Sequence, residues 1–267
     1  MLSDNLSSSK LKERFVAVKT EDGHYTLYSN EFQEHCHSLS GAFQETMHFY
    51  VQGCQIEEIL KRNDHCKILE IGTGSGTGYE ATLSNYKIEH GNLDFVTVEK
   101  DKDLVDWLIT CRTLDRNDVP GFCELKLFYS DNDVSFYHAK KNGVSLTLLQ
   151  GDCRISLPKF LNQNSFSPDA IFQDPFSPQK NSTLWSVEWF MFLKKISNSN
   201  TVMSTYSASS AVRKSMLEAA WKIQEINGIG RKKSGTKAVL SGDSDELLLD
   251  HLGRSPQLPI LDSGLKT

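Results

Sequence analysis

Ile68-Leu69-Glu70-Ile71-Gly72-Thr73-Gly74-Ser75-Gly76-Thr77-Gly78 is the stretch that decides the fold. An apolar run carrying an acidic residue passes straight into glycines at alternate positions, with the spacing E-x-G-x-G-x-G. Glycine lets a backbone turn tightly and approach a ligand with no side chain between them. A helix starting at about Gly76 turns its free N–H groups toward whatever lies over the loop. An open α/β sheet builds a nucleotide pocket in this way, at the carboxyl end of its first strand. The dinucleotide fingerprint G-x-G-x-x-G, counted from Gly72, needs glycine at position 77, where Thr77 stands.

Working outward from the loop, strands and helices alternate. Cys66–Ile71 reads as the first strand with helix Gly76–Asn85 after it, and Leu93–Glu99 as the second with helix Asp101–Thr113. Val144–Leu149 is a third strand closed by Gly151-Asp152, and Ala170-Ile171-Phe172 a fourth ending on Asp174-Pro175. Helix Trp185–Ile196, strand Thr201–Tyr206 and helix Ala208–Ala220 follow, and a C-terminal hairpin pairs Ile223–Ile226 with Thr236–Leu240. Alternation sustained over about 170 residues predicts a largely parallel sheet. Residues 1–14 are Ser-rich and read as disordered. Residues 15–60 read as a hairpin turning at Asp22-Gly23 and then a helical stretch, Glu31–Leu60, split around Ser40-Gly41. Asp115–Gly143 reads as an insertion with a short helix of its own. The central domain spans residues 61–240, and residues 241–267 form a polar, loosely docked tail.

The bulk composition narrows the partners. The 267 residues carry a net charge of −5, which gives no global electrostatic case for nucleic acid. A local one exists in Arg213, Lys214, Lys222, Arg231, Lys232, Lys233 and Lys237. Met1–Thr20 holds no signal-like apolar run, and no segment approaches the ~20 apolar residues of a membrane span. The expectation is a cytoplasmic protein with no membrane partner. Its six cysteines are scattered without a C-x-x-C pair, as in reduced cytosolic chains. His35-Cys36-His37 invites a metal reading, but alternate residues cannot share one helix face and no second paired-ligand motif exists, so no metal is expected. Oligomeric state is left open.

The acidic residue followed by alternating glycines resembles the usual first motif of S-adenosylmethionine-dependent methyltransferases. That resemblance implies a Rossmann-like methyltransferase fold and S-adenosyl-L-methionine as cofactor. In such a sheet the ligand lies outside the carboxyl ends of the strands. Glu99 ends the second strand, where a carboxylate can accept from two ribose hydroxyls. At Gly151-Asp152-Cys153, Asp152 can accept from an adenine amino group while the neighbouring backbone N–H donates to the ring. The fourth strand ends on Gln173-Asp174-Pro175-Phe176-Ser177-Pro178. Two prolines make a stiff loop with few donors and several free carbonyls, suited to holding an amine. Asp174 would accept the amine hydrogens, and Phe176 can pack on a flat base. The run partly resembles the D-P-P-[YF] loop of amino-group methyltransferases, without its second proline.

With these residues in hand, the chain resembles the methyltransferase half of the bifunctional tRNA 5-methylaminomethyl-2-thiouridine biosynthesis proteins and its stand-alone relatives. The resemblance runs from about Tyr28 to the tail. It rests on Tyr28-Ser29-Asn30-Glu31-Phe32, Gly41-Ala42-Phe43-Gln44-Glu45-Thr46, the Glu70–Gly76 loop, Gly151-Asp152, the run Asp169–Asn181 with Leu184-Trp185, Thr205-Tyr206-Ser207-Ala208, and Gly228-Ile229-Gly230-Arg231-Lys232-Lys233. The D-P-F-S-P-x-K-N-x-x-L-W and G-x-G-R-K-K runs are the specific ones. The resemblance implies methylation of the primary amine of a 5-aminomethyl group on the wobble uridine of tRNA. It implies that Glu70, Gly72, Gly74 and Gly76 build the pocket for the methionine part, that Glu99 holds the ribose, and that Asp152 and Cys153 meet the adenine. Asp174 would be the base or amine-orienting residue, Phe176 a substrate contact, and Arg231 and Lys232 would approach tRNA phosphate. Thr73 replaces a usual aromatic residue, Gln173 an apolar one, and Cys36 a common tyrosine. Competing readings are methylation of another amine, aminopropyl transfer, and a non-catalytic donor-binding module.

Overall fold

Ile68–Ile71, Ala170–Gln173 and Val202–Thr205 are buried at every position. A strand buried on both faces belongs to a sheet covered on both sides, as parallel sheets are. The computed structural model describes residues 9–62, 64–230 and 233–265. In chain order it begins with helix α1 (Ser9–Arg14) and a small antiparallel sheet of β1 (Phe15–Lys19), β2 (Tyr25–Ser29) and β3 (Glu34–His35). Helix α2 (Ala42–Thr46) then runs into a π-helical turn, Met47–Gln52, followed by α3 (Ile56–Arg62). Next come β4 (His65–Ile71), α4 (Thr77–Asn85), β5 (Asn92–Glu99), α5 (Lys102–Cys111), β6 (Lys126–Ser130), β7 (Ser135–Lys141) and β8 (Val144–Gln150). The chain continues through α6 (Cys153–Gln163), β9 (Ala170–Gln173), α7 (Val187–Ile196), β10 (Val202–Thr205), α8 (Ser210–Glu218), β11 (Lys222–Asn227), β12 (Ser234–Val239) and α9 (Glu246–Arg254).

The main sheet has the order β11-β12-β10-β9-β4-β5-β8-β7-β6. Its five central strands, β10 to β8 in that order, are parallel, with Ile68 opposite Ala170 and Ile71 opposite Gln173 across the β4–β9 pair. Antiparallel hairpins flank them on both sides. After β4 the chain moves outward through β5 and β8, and then returns to the other side of β4 for β9 and β10. The strand order therefore reverses between β4 and β9, and a crevice opens at the carboxyl ends of these two strands. Alternate residues feed two cores. Ile68, Phe95 and Phe172 pack with Leu27, Phe49 and Ile56 on one face, and Leu69, Ile71 and Ile171 pack with Trp185, Trp189 and Trp221 on the other. Sharing the first of these cores ties the N-terminal elements to the sheet.

Four expectations change. Residues 9–14, read as disordered, form α1 with Leu11 fully buried and Arg14 paired to Asp101 at 2.7 Å. Residues 31–40, read as helical, are instead turn and short strand, because Tyr28 pairs with His35 and the Phe32 ring is drawn onto Phe176. The 115–145 segment contributes a 3₁₀ turn at Phe122–Glu124, and then β6 and β7, which extend the sheet edge. The tail includes α9, capped by Asp245 and docked through buried Leu248 and Leu252. Asp262 beyond it pairs with Arg154 at 2.6 Å.

Candidate active site

The crevice at the switch point is a cleft of about 760 Å³ lined by Gly72, Gly74, Glu99, Asp152, Cys153, Asp174 and Phe176, with Arg14 and residues 31–38 of the N-terminal sheet over it. The glycine loop is stitched to β5, since the N–H groups of Gly72 and Thr73 both donate to Val98 O at 3.1 Å. Gly72 has φ +96°, and a Cβ there would stand 2.6 Å from the carbonyl oxygen of Asp174. No side chain fits where the ends of β4 and β9 come this close. Glu99 is held at the mouth of β5, one oxygen accepting from Gly74 N at 3.1 Å and the other from Asp101 N at 2.9 Å. Burial pushes its carboxyl up to about 7, against the pull of those N–H groups. Asp152 caps α6 by accepting from Arg154 N at 3.0 Å, and Lys100 lies 3.4 Å from its other oxygen. Cys153 opens that helix, where backbone N–H groups lack intrahelical acceptors.

At the other end of the cleft stands Asp174. Its backbone N–H continues the sheet by donating to Ile71 O at 3.0 Å. The Tyr50 hydroxyl donates to one carboxylate oxygen at 2.6 Å, and His37 Nε2 lies 3.9 Å from the other. The side chain remains 12% exposed, and faces the cleft. Burial and the charge of Asp174 hold the Tyr50 and Tyr206 phenols well above their ordinary range, so both stay protonated donors. The expected free carbonyls of the proline loop are already engaged. Pro175 O accepts from the Tyr206 hydroxyl at 3.0 Å and Phe176 O from Trp185 Nε1 at 2.9 Å. Glu34 grips the same loop, accepting from Ser177 Oγ at 2.5 Å and from Ser177 N at 3.1 Å. Phe176 stacks on Phe32 with ring centroids 4.4 Å apart. The side-chain carboxylate, rather than backbone carbonyls, is the group presented to the cleft.

Two of the expected residues do not line the cleft. Glu70 lies beneath the loop, where Thr97 Oγ1 donates to it at 2.6 Å and burial pushes its carboxyl well up. It braces Gly78, whose Cβ would meet Glu70 Oε1 at 1.7 Å. Gly76 caps α4 and faces the Phe122 ring. Arg231 and Lys232 lie outside the described residues. Of their basic neighbours, Arg213 is buried at 4% exposure and paired to Glu225 at 2.9 Å, while Lys214 donates to Ser255 O and Lys237 to Gln55. Much of that cluster therefore braces the fold. Gln173 is fully buried, with its amide donating to Leu184 O and accepting from Trp189 Nε1. Sequence reasoning missed the roles of Tyr50, Glu34 and Arg14, and weighed His37 only as a metal ligand. Among the described residues, no group of three or more His, Cys, Asp or Glu side chains is placed to hold a metal, and no helix is long and apolar enough to cross a membrane.

A family model described as S-adenosyl-L-methionine-dependent methyltransferase matches residues 126–241. An uncharacterised protein of Methanocaldococcus jannaschii is 25% identical over 236 residues, 86% of this chain and 60% of that protein. The tRNA 5-methylaminomethyl-2-thiouridine biosynthesis bifunctional protein of Ralstonia nicotianae is 29% identical over 231 residues, 80% of this chain. The chain spans only 33% of that bifunctional relative's length. The crystal structure of MnmC2 from Aquifex aeolicus superposes with a TM-score of 0.74 at 25% identity, covering 95% of this chain and 80% of that one. Fold and matched family define an S-adenosyl-L-methionine-dependent methyltransferase, and S-adenosyl-L-methionine is its cofactor. Within that class, the chain is similar to the methyltransferase part of the bifunctional tRNA 5-methylaminomethyl-2-thiouridine biosynthesis proteins and to MnmC2. The cleft suits a cationic nucleoside. Its floor is glycine, and Glu99, Asp152 and Asp174 bring carboxylates to its ends.

Proposed function

We propose that the protein methylates a primary amine, the 5-aminomethyl group of a tRNA wobble uridine. The observation that carries this reading is Asp174, a carboxylate fixed by Tyr50 and turned into the cleft across the Gly72 contact from the donor loop. An alkylamine is protonated at neutral pH, much like lysine, and has no lone pair for attack. A carboxylate here attracts the ammonium, orients it, and takes a proton from it. S-adenosyl-L-methionine, when bound, would supply an electrophilic sulfonium methyl group with a neutral thioether as its leaving group. Gly72 and Gly74 would border the methionine part, Glu99 would accept from ribose hydroxyls, and Asp152 with the Cys153 N–H would address the adenine. Phe176, stacked on Phe32 and lining the cleft, would pack against an entering base. Arg231 and Lys232 remain the proposed contacts to tRNA phosphate.

The tRNA part of this reading comes from the names of the relatives, and the same carboxylate would serve another amine. That second reading separates from the first by the product alone. Asp174→Ala tests the shared chemistry: it should bind S-adenosyl-L-methionine as the wild type does, yet lose methyl transfer by about 10²–10⁴-fold. Unchanged turnover in that variant would overturn the mechanism.

A further inference from the structure

We propose that His37 is the acceptor to which Asp174 hands the amine proton, with Tyr50 positioning Asp174 for the handover. The assignment rests on the amine reading above. A primary ammonium and a sulfonium enter with two positive charges. A secondary ammonium and a neutral thioether leave with one, so each turnover releases a proton that the site must carry away. Asp174 alone is a poor sink, because an ordinary imidazole holds a proton about 400-fold more tightly than an ordinary aspartate. The imidazole of His37 stands beside it.

His37 Nε2 lies 3.9 Å from Asp174 Oδ2, the carboxylate oxygen opposite the one that takes the Tyr50 hydrogen bond. Catalytic contacts of this kind tighten when the acceptor is bound. On its other side, His37 Nδ1 lies 3.5 Å from Thr26 Oγ1, and the His37 backbone N–H donates to the same oxygen at 2.9 Å. The neutral tautomer with its proton on Nδ1 directs that N–H to Thr26, leaving Nε2 as the basic atom toward Asp174. The ring is 7% exposed and lines the cleft. The ammonium N–H bond breaks with its electron pair staying on nitrogen, the proton passes to Asp174 Oδ2, and then to His37 Nε2. Solvent in the cleft takes it after product leaves.

The titratable groups of this centre come from each element packed around it. They are Asp174 after β9, Glu99 at the end of β5, Cys36 beside His37, Glu34 on β3, Glu45 on α2, Tyr50 in the π turn and Tyr206 after β10. Burial raises the Cys36 thiol and both phenols, so none of the three competes for the proton.

The experiment follows methyl transfer against pH in wild type, His37→Gln and His37→Asn, with donor binding measured alongside. With donor affinity kept, transfer at pH 7 should fall by about 10²–10⁴-fold. It should recover about tenfold per pH unit toward the amine's own value near 10, where the substrate deprotonates unaided. Added imidazole should restore part of the rate at pH 7. Transfer within threefold of wild type at pH 7, or an equal loss at every pH without imidazole rescue, would overturn the assignment. A second measurement leaves His37 in place and needs no turnover. The NMR titration midpoint of the His37 ring should drop by roughly half a unit or more in Asp174→Asn, because a neighbouring carboxylate stabilises the imidazolium. An unmoved midpoint would overturn the coupling. Absence of label from the wild-type protein on the aminomethyl tRNA would instead sink the acceptor reading, and the titration would still decide the pair.

Discussion

Replacing Gly72 by alanine tests whether the glycine loop and the Asp174 loop are held in one geometry by a single close contact. A Cβ at position 72 would lie 2.6 Å from Asp174 O, about 0.8 Å short of the 3.4 Å at which ordinary contact begins. The obstacle is backbone, so it cannot swing aside, and φ +96° adds strain for any L side chain. Strain of this kind costs about 1–3 kcal/mol, and forcing a methyl into a packed contact about 1–3 kcal/mol more. At roughly 2–4 °C per kcal/mol for a domain of this size, Tm should fall by about 4–24 °C. The ends of β4 and β9 must separate by most of an ångström, and a displacement of about 1 Å between reacting groups costs roughly 10²-fold in rate. Gly242→Ala is the control. Its φ is +93°, and a Cβ there meets nothing within 4 Å, so it carries the strain without the contact. The assay is calorimetry together with single-turnover methyl transfer on both variants. Equal Tm values and equal rates for Gly72→Ala and Gly242→Ala would refute the contact as the device that fixes the two loops.

Tyr50→Phe removes the hydrogen bond that orients Asp174. It should lower kcat by about 10-fold or more, as expected for a bond to a charged group worth about 1.5–3 kcal/mol; donor affinity measured by calorimetry should stay unchanged. Burial raises the Glu99 carboxyl from its ordinary 4.5 to about 7, so the folded chain keeps a proton that the unfolded chain has lost. Stability of the ligand-free protein should therefore decline as pH rises between these values and level off above them. Glu99→Gln should flatten that part of a denaturation series run against pH. Arg213→Met should lower Tm by several degrees, because it breaks the buried contacts to Thr236, Gly235 and Glu225. In the same variant, tRNA affinity at low salt, measured by filter binding, should match wild type.

The sheet was legible because its strands carry local signals. Runs such as Ile68–Ile71, apolar apart from Glu70, and Ala170–Phe172 stand out, with Gly72 or Asp174 marking where each strand ends. The glycine-loop end of the cleft was legible for the same reason, since Gly72, Glu99 and Asp152 stand directly at strand ends and line it. The Asp174 end was less so. Tyr50 reaches Asp174 from a π turn, whose register depends on tertiary contacts such as the Ser204 hydroxyl donating to Phe49 O. His37 and Glu34 lie in a segment that reads as helical by pattern, and becomes strand and turn only because β2 and the proline loop are there to receive it. Arg213 reads as surface charge, and only the folded hairpin makes it a buried brace. Residue types announced the chemistry at strand ends; partners supplied by distant segments did not announce themselves.

The central claim is tested most directly by methyl transfer from labelled S-adenosyl-L-methionine to tRNA that carries 5-aminomethyluridine at the wobble position, followed by nucleoside analysis. Label in 5-methylaminomethyluridine, lost in Asp174→Ala, is the predicted result. Donor binding with no label in that nucleoside would contradict the account.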